Sequence, residues 1–92
     1  MAAFLLQKEV PIIYTSTRSK NAIRIVIDMM SHREGCRVAE IAQRQELSVI
    51  YTRNLLIPLV KSTLIKKSRR GFQLAKTTDQ FTLADIIRAV VW

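Results

Sequence analysis

The chain has 92 residues, which is enough for one small domain. Its 15 Lys and Arg against 7 Asp and Glu give a net charge of +8, which favours a polyanionic partner, either nucleic acid or an acidic membrane surface. A single cysteine excludes an internal disulfide and a multi-cysteine metal cage, and the 49% of apolar residues exceeds what so small a core hides. That surplus favours a partner surface, most simply a second copy of the chain.

The first residues are not expected to form a signal peptide. Residues 1–13 show no clean periodicity, contain Pro11 near their end, and are expected to form an extension of uncertain structure. They lack a basic lead and a small-residue cleavage site, which argues against a signal peptide. No apolar run reaches the roughly 18 residues that span a bilayer. With its lone cysteine, the chain is expected in a reducing cytosol.

The first helix is predicted from about Ser16 to Ser31, with Ser16 or Thr17 as its N-cap. The segment from His32 to Gly35 is expected to end it. The predicted inward stripe follows the helical period and consists of Ala22, Ile23, Val26, Ile27 and Met30.

A helix-turn-helix is predicted next. A short helix, Val38–Gln45, is followed by a turn over residues 46–48, and Ser48 caps a third helix that reaches about Ser62. The inward residues of the short helix are Val38, Ile41 and Ala42. The predicted core side of the third helix comprises Tyr51, Leu55, Leu56 and Leu59. Its opposite face carries Val49, Ile50, Arg53, Asn54 and Ile57.

A hairpin follows the third helix. Residues 64–68 and 72–75 have the composition of two short strands, joined by Arg69, Arg70 and Gly71. Gly71 is expected to supply the positive φ that such a turn requires.

The last helix is predicted to begin after the cap Thr82, with Asp85 in its first turn. Its predicted inner face consists of Leu83, Ile86, Ile87 and Val90. The order helix, helix, helix, hairpin, helix predicts a mainly α fold with a small β-hairpin, a winged helix-turn-helix over residues 14–92.

This fold predicts binding to double-stranded DNA, because an α-helix fits the major groove and its N-terminal part meets the base edges. Arg53 suits guanine O6 and N7, Asn54 suits adenine, and Val49 or Ile50 suits a thymine methyl. The predicted phosphate contacts and nearby cations are Ser48, Tyr51, Lys61, Lys66, Lys67, Arg69 and Arg70.

Catalytic and metal chemistry have little support in the sequence. His32 has no evident second ligand at metal spacing, and Cys36 is expected to pack as a small apolar group. Asp28 and Asp85 lie on different helices without an adjacent His or Ser constellation. A glycine-rich phosphate loop is absent, since the chain has only two glycines. No enzyme activity, cofactor, metal or small-molecule substrate is therefore predicted.

From Tyr14 to Trp92 the sequence resembles the bacterial winged-helix regulators of the IscR, NsrR and CymR type, the Rrf2 family. The matching segments are NAIRIVIDM in the first helix, VAEIAQRQELSVIYTRNLL across the helix pair, LIKKSRRGFQLAK in the wing and TLADIIRAV in the last helix. The resemblance implies a cytoplasmic, nucleoid-associated homodimer, usually a repressor, that binds an imperfect palindrome. It assigns base contacts to the third helix and backbone or minor-groove contacts to the wing; by position these fall on Ser48, Tyr51, Arg53 and Asn54, and on Arg69 or Arg70.

The sequence also departs from this family pattern. Glu46 and Thr63 stand where the resembling regulators have glycine, so a left-handed backbone costs energy there, most of all at the β-branched Thr63. Pro58 is expected to kink or shorten the third helix. The wing is short, and Arg53 replaces an acidic base-contacting residue. The three-cysteine cluster loop and the long dimerisation helix have no counterpart, and Cys36 does not fall at a cluster-ligand position.

Three functions are compatible with these residues. The first is sequence-specific DNA binding as a transcriptional regulator. The second is a divergent winged-helix module that pairs with another regulator or subunit and does not contact bases, which the lost glycines, the helix proline and the apolar surplus favour. The third, attachment of the basic face to anionic membranes, has the least support.

Overall fold

The computed structural model describes residues 16–77 and 79–91, so the predicted N-terminal extension lies outside the described residues. The elements in chain order are the helices α1 (Thr17–Met30), α2 (Val38–Gln45) and α3 (Val49–Lys61), the strands β1 (Ile65–Ser68) and β2 (Gly71–Leu74), and the helix α4 (Leu83–Val91). This is the predicted winged helix-turn-helix. Within the described residues, no helix has the length and apolar character that crossing a membrane requires.

Helix α1 begins at the predicted cap but buries a different stripe. The Ser16 hydroxyl accepts a hydrogen bond from the Ser19 N–H at 3.0 Å. Ile27 was placed in the inward stripe, which is wrong, because its side chain is 54% exposed. Ile25 and Met29 are fully buried instead, since α1 packs against both α3 and α4 and turns a broader face inward.

The helix-turn-helix agrees closely with prediction. Helix α2 has the predicted bounds, and Glu46 closes it in the left-handed conformation with φ 57° and ψ 44°. The Leu47 N–H then donates to the Ala42 carbonyl at 2.9 Å, which fixes the turn. Ser48 caps α3 by accepting the Tyr51 N–H at 3.0 Å. Glutamate thus keeps the geometry for which glycine is best suited.

Pro58 does not shorten α3, which continues to Lys61. Proline has no N–H, so the carbonyl of Asn54, one turn earlier, loses its usual partner. That turn of the helix is exposed, and water can therefore satisfy the carbonyl. The core side of α3 is formed by the fully buried Leu55, Leu56 and Leu59, as predicted, together with Thr52.

The wing is an antiparallel hairpin in which β1 begins one residue later than predicted and β2 begins and ends one residue earlier. Ile65 pairs with Leu74 and Ser68 with Gly71, so the loop contains only Arg69 and Arg70. The preceding turn holds Thr63 at φ 64°, the second non-glycine residue with positive φ among the described residues.

A third backbone segment joins the wing before α2. The Cys36 N–H donates to the Phe72 carbonyl at 2.8 Å, and the Phe72 N–H donates to the Cys36 carbonyl at 2.7 Å. Gly71 has φ 122°, and a Cβ there would lie 2.3 Å from the Cys36 carbonyl oxygen. The glycine therefore permits both the predicted φ and a close approach that the sequence did not reveal.

Helix α4 closes the core with the predicted cap and inner face. The Thr82 N–H donates to the Asp85 carboxylate at 2.9 Å, and the Asp85 N–H donates to the Thr82 hydroxyl at 3.2 Å, a reciprocal capping box. At the other end, Arg18 Nε donates to the Val90 carbonyl at 2.7 Å and ties α4 to the start of α1. The buried residues of α4 are Ile86, Ile87 and Val90.

Candidate nucleic-acid interface

The outer face of α3 presents the predicted base-contacting residues to solvent. Arg53 and Asn54 are both exposed, and within residues 16–77 and 79–91 neither side chain makes an intramolecular hydrogen bond. Their opposite neighbours, Leu55 and Leu56, are buried and fix the rotation of the helix about its axis. The guanidinium and the amide are therefore free to pair with an external acceptor or donor.

Tyr51 lies at the edge of this face and is oriented by a residue that the sequence interpretation missed. Its side chain is half-buried, and its hydroxyl oxygen accepts a hydrogen bond from Asn21 Nδ2 at 3.2 Å. Because the hydroxyl only accepts in this contact, its own proton remains available for a phosphate oxygen. Ser48 is exposed at the N-cap, where its side chain already bonds the helix backbone.

A groove runs between α3 and the hairpin, and it carries positive charge above an apolar floor. The residues that line it are Arg53, Ile57, Val60, Lys61, Lys67 and Phe72. No acidic side chain is among them. A polyanion lying in this groove would contact both α3 and the wing.

The structure separates the two predicted lysines of β1. Successive side chains of a strand point to opposite faces, so Lys66 and Lys67 diverge. Lys67 lines the groove beside α3, whereas Lys66 lies across the strand, paired in register with Gln73. Both are exposed, but only Lys67 belongs to the same surface as Arg53.

The tip of the wing forms a second cationic cluster with a partner from α2. Arg69 and Arg70 line a small cavity with Arg37 and Glu40. Glu40 accepts the Arg37 N–H at 2.8 Å, which lowers the pKa of its carboxyl, and the charges of Arg37 and Arg70 act in the same direction. Arg37 was not among the predicted contacts, because only the backbone bridge between Cys36 and Phe72 brings it beside the wing.

The position of α2 is fixed by an ion pair between a buried carboxylate, Asp28, and the partly exposed Arg44. Arg44 donates to both oxygens of Asp28, with Nη2 to Oδ1 at 2.7 Å, and Gln45 Nε2 donates to Oδ2 at 2.8 Å. The Asp28 side chain is only 3% exposed, and burial by itself raises the pKa of its carboxyl. The hydrogen bonds from Arg44 and Gln45 outweigh that effect, so the pKa is lowered.

Two expectations were wrong: that His32 has no second ligand at metal spacing, and that Asp28 has no adjacent histidine. His32 Nδ1 lies 3.6 Å from Asp28 Oδ1, and Cys36 Sγ accepts a weak hydrogen bond from Arg44 Nη2 at 3.4 Å. One ligand atom from each of Asp28, His32 and Cys36 lies within 4.8 Å of the others. The i, i+4, i+8 spacing was visible in the sequence, but the chain leaves the helix after Met30, which hid the juxtaposition.

The exposed face of α3 also carries three large apolar side chains. Ile50 is 74% exposed, Ile57 45% and Val49 43%. These three side chains surround Arg53 on the outer helix face. They can contact thymine methyls or the apolar surface of another protein.

Comparison with known proteins gives one consistent family. Residues 15–91 match the profile of Rrf2, described as an iron-dependent transcriptional regulator. The protein rrf2 of Nitratidesulfovibrio vulgaris is 30% identical over 80 residues, which cover 82% of this chain and 53% of that protein. Among solved structures, IscR of T. potens is similar with a TM-score of 0.79 and 31% identity, over 85% of this chain and 61% of that chain. CymR, described as the global cysteine regulator of B. subtilis, is similar with a TM-score of 0.75 and 32% identity, over 83% and 62%.

The chain thus spans about half the length of rrf2 and less than two thirds of IscR and CymR. The family description names iron, and an iron–sulfur cluster is held chiefly by several cysteine thiolates. This chain has one cysteine, which is buried and hydrogen-bonded to Arg44. Its residues do not fit such a cluster.

Proposed function

Because this chain belongs to the Rrf2 family of transcriptional regulators, we propose that it regulates transcription by binding a specific sequence in double-stranded DNA. The observation that carries the proposal is that Arg53 and Asn54 are exposed on α3 next to a groove lined by cations. Family membership favours a regulator over an enzyme. It also favours the bacterial cytoplasm as the location and a second copy of the chain as the partner.

The proposed contacts divide by chemistry. Arg53 and Asn54 pair with base edges in the major groove, and Ile50 contacts a thymine methyl. Phosphates are bound by the two hydroxyl residues at the start of α3 and by the cations of the groove and wing. Those residues are Ser48, Tyr51, Lys61, Lys66, Lys67, Arg69 and Arg70, to which the geometry adds Arg37. Repression, with two copies on an imperfect palindrome, is the mode that we propose.

The experiment begins with selection of bound duplexes from a random pool, followed by titration on the selected and a scrambled duplex at two salt concentrations. We expect Arg53→Ala to lose about 1–3 kcal/mol of discrimination at one or two base positions. Arg24→Ala is the matched control, because Arg24 is an exposed arginine of α1 that faces a different cleft. If Arg53→Ala lost the same affinity for the selected and the scrambled duplex, Arg53 would not contact bases specifically.

The exposed isoleucines favour a second candidate, a module that binds a full-length regulator and does not contact bases. Ile50, 74% exposed, distinguishes the two functions. Ile50→Lys adds a cation to the proposed DNA face and should strengthen non-specific duplex binding. The same substitution should abolish an apolar protein contact. A stable heteromer that Ile50→Lys disrupts, with no duplex binding at low salt, would establish the second function instead.

A further inference from the structure

The cluster where α1, α2 and the segment between them meet contains three metal-ligating side chains. We propose that Asp28, His32 and Cys36 form a binding site for a single divalent transition-metal ion of the zinc type. The donor set is one carboxylate, one imidazole and one thiolate, all of which are ordinary ligands of Zn²⁺. The site is separate from the DNA-binding face and does not depend on the function proposed above.

The spacing of the three ligand atoms is close to that of a tetrahedral centre. Bonds of about 2.0–2.3 Å at tetrahedral angles place neighbouring ligand atoms about 3.3–3.8 Å apart. His32 Nδ1 and Asp28 Oδ1 are 3.6 Å apart, and all three ligand atoms lie within 4.8 Å of one another. His32 Nδ1 also lies 2.9 Å from the Asp28 main-chain carbonyl oxygen, so the imidazole must give up that hydrogen bond before its lone pair can bind an ion. Closing the set around one ion therefore requires the three side chains to move closer together.

A cation already lies between two of these ligands. Arg44 Nη2 is 2.7 Å from Asp28 Oδ1 and 3.4 Å from Cys36 Sγ, so the guanidinium occupies the position that the metal would take. The Arg44 side chain is 34% exposed and can leave for solvent without crossing the core. The metal and Arg44 therefore compete for the same carboxylate.

The remaining contacts hold the ligands in place and leave a route for an ion. Gln45 Nε2 bonds Asp28 Oδ2 at 2.8 Å and would continue to orient the carboxylate, the role that outer-shell groups have in metal sites. The paired hydrogen bonds between Cys36 and Phe72 fix the backbone of the thiol. A surface cleft reaches Asp28 and His32, and the His32 side chain is 36% exposed.

Cobalt is the probe, because a thiolate bound to Co²⁺ gives a sulfur-to-cobalt charge-transfer absorption that zinc lacks. The full chain, reduced and freed of metal, is titrated with Co²⁺ and then with Zn²⁺ as competitor. Cys36→Ser should abolish the absorption. His32→Ala, at a partly exposed position that tolerates truncation, should weaken binding by about 100-fold or more, since even outer-shell changes cost 10–100-fold. Arg44→Met should tighten binding by about 10-fold, because it leaves the buried carboxylate without its cation.

Glu34→Gln is the matched control, because Glu34 is an exposed carboxylate between two of the ligands in sequence but outside the cluster. It should bind Co²⁺ as the unmodified chain does. Far-UV circular dichroism confirms that each variant is folded. The proposal is overturned if the folded chain shows no sulfur-to-cobalt absorption at saturating Co²⁺, or if His32→Ala binds the ion as tightly as the unmodified chain.

Discussion

The contact between the wing and the segment before α2 depends on the absence of a side chain at Gly71. In Gly71→Ala the new Cβ would lie 2.3 Å from the Cys36 carbonyl oxygen and 2.8 Å from Arg37 Cα. Both are backbone atoms, which cannot rotate away. The wing must therefore move, and the paired hydrogen bonds between Cys36 and Phe72 break.

The size of the effect follows from two contributions. Alanine at φ 122° costs about 1–3 kcal/mol in backbone strain. Loss of two backbone hydrogen bonds adds about 0.5–1.5 kcal/mol each. The sum, about 4 kcal/mol, is a large part of the roughly 5–14 kcal/mol expected for the unfolding of a chain of this length.

Gly35→Ala is the matched control. Gly35 also has positive φ, 112°, but its Cβ would meet the Ser68 hydroxyl at 3.0 Å, which can rotate, and Arg70 Cβ at 3.2 Å, a contact far less severe than those at Gly71. We expect it to show the strain alone. Urea denaturation should place Gly71→Ala about 2 kcal/mol below Gly35→Ala in free energy of unfolding. Equal destabilisation of the two variants would refute the reasoning, because the backbone contact at Gly71 would then contribute nothing.

Three further predictions test the interface, the buried ion pair and the strained turns. Lys67→Ala should weaken binding to every duplex and reduce the magnitude of the slope of log affinity against log salt by about 0.9. Lys66→Ala, on the opposite face of β1, should change that slope less. Fluorescence anisotropy at several salt concentrations measures the slope for each variant. The lowered pKa of Asp28 stabilises the fold above its unfolded pKa of about 4, and that stabilisation is lost as pH falls through the lower folded value. Asp28→Asn should therefore be less stable than the unmodified chain at pH 7 and should lose less stability on acidification. Urea denaturation midpoints of both proteins, measured at pH 7 and below pH 4, test this. An equal fall of the two midpoints on acidification would contradict it. Thr63→Gly should raise the free energy of unfolding by about 1 kcal/mol, since Thr63 holds φ 64°, while Ser62→Gly, where φ is −87°, should lower it.

The sequence specified the elements better than the faces they bury. Caps and turn residues are local, so Ser16, Ser48 and Thr82 placed three helix starts correctly. The inward face of α1 depends on two partners at once, and the period alone chose Ile27 where packing buries Ile25. The groove depends on the hairpin packing beside α3, with the paired Lys67 and Phe72 facing that helix, and the spacing of residues along the chain does not predict this contact.

The departures from the family pattern have visible consequences in the structure. Glycine was expected at the positions of Glu46 and Thr63, and both adopt positive φ at 57° and 64°. The backbone geometry is thus retained although the favourable residue is not. Pro58 acts differently: α3 continues past it to Lys61, because the carbonyl it leaves without a partner lies on the exposed side of the helix. These departures cost stability without removing the helix that would contact bases.

The positions of three acidic side chains, Asp28, Asp85 and Glu40, help to explain why positive charge is concentrated in the groove between α3 and the wing. Asp28 is paired with Arg44 beneath α2, and Asp85 caps α4 and bonds Arg88. Glu40 caps the start of α2. Each of these carboxylates neutralises charge within the framework, away from the groove between α3 and the wing. That groove is lined by three cations, Arg53, Lys61 and Lys67, with no opposing carboxylate. This cationic lining favours the approach of a polyanion to the face that carries the predicted base-contacting residues.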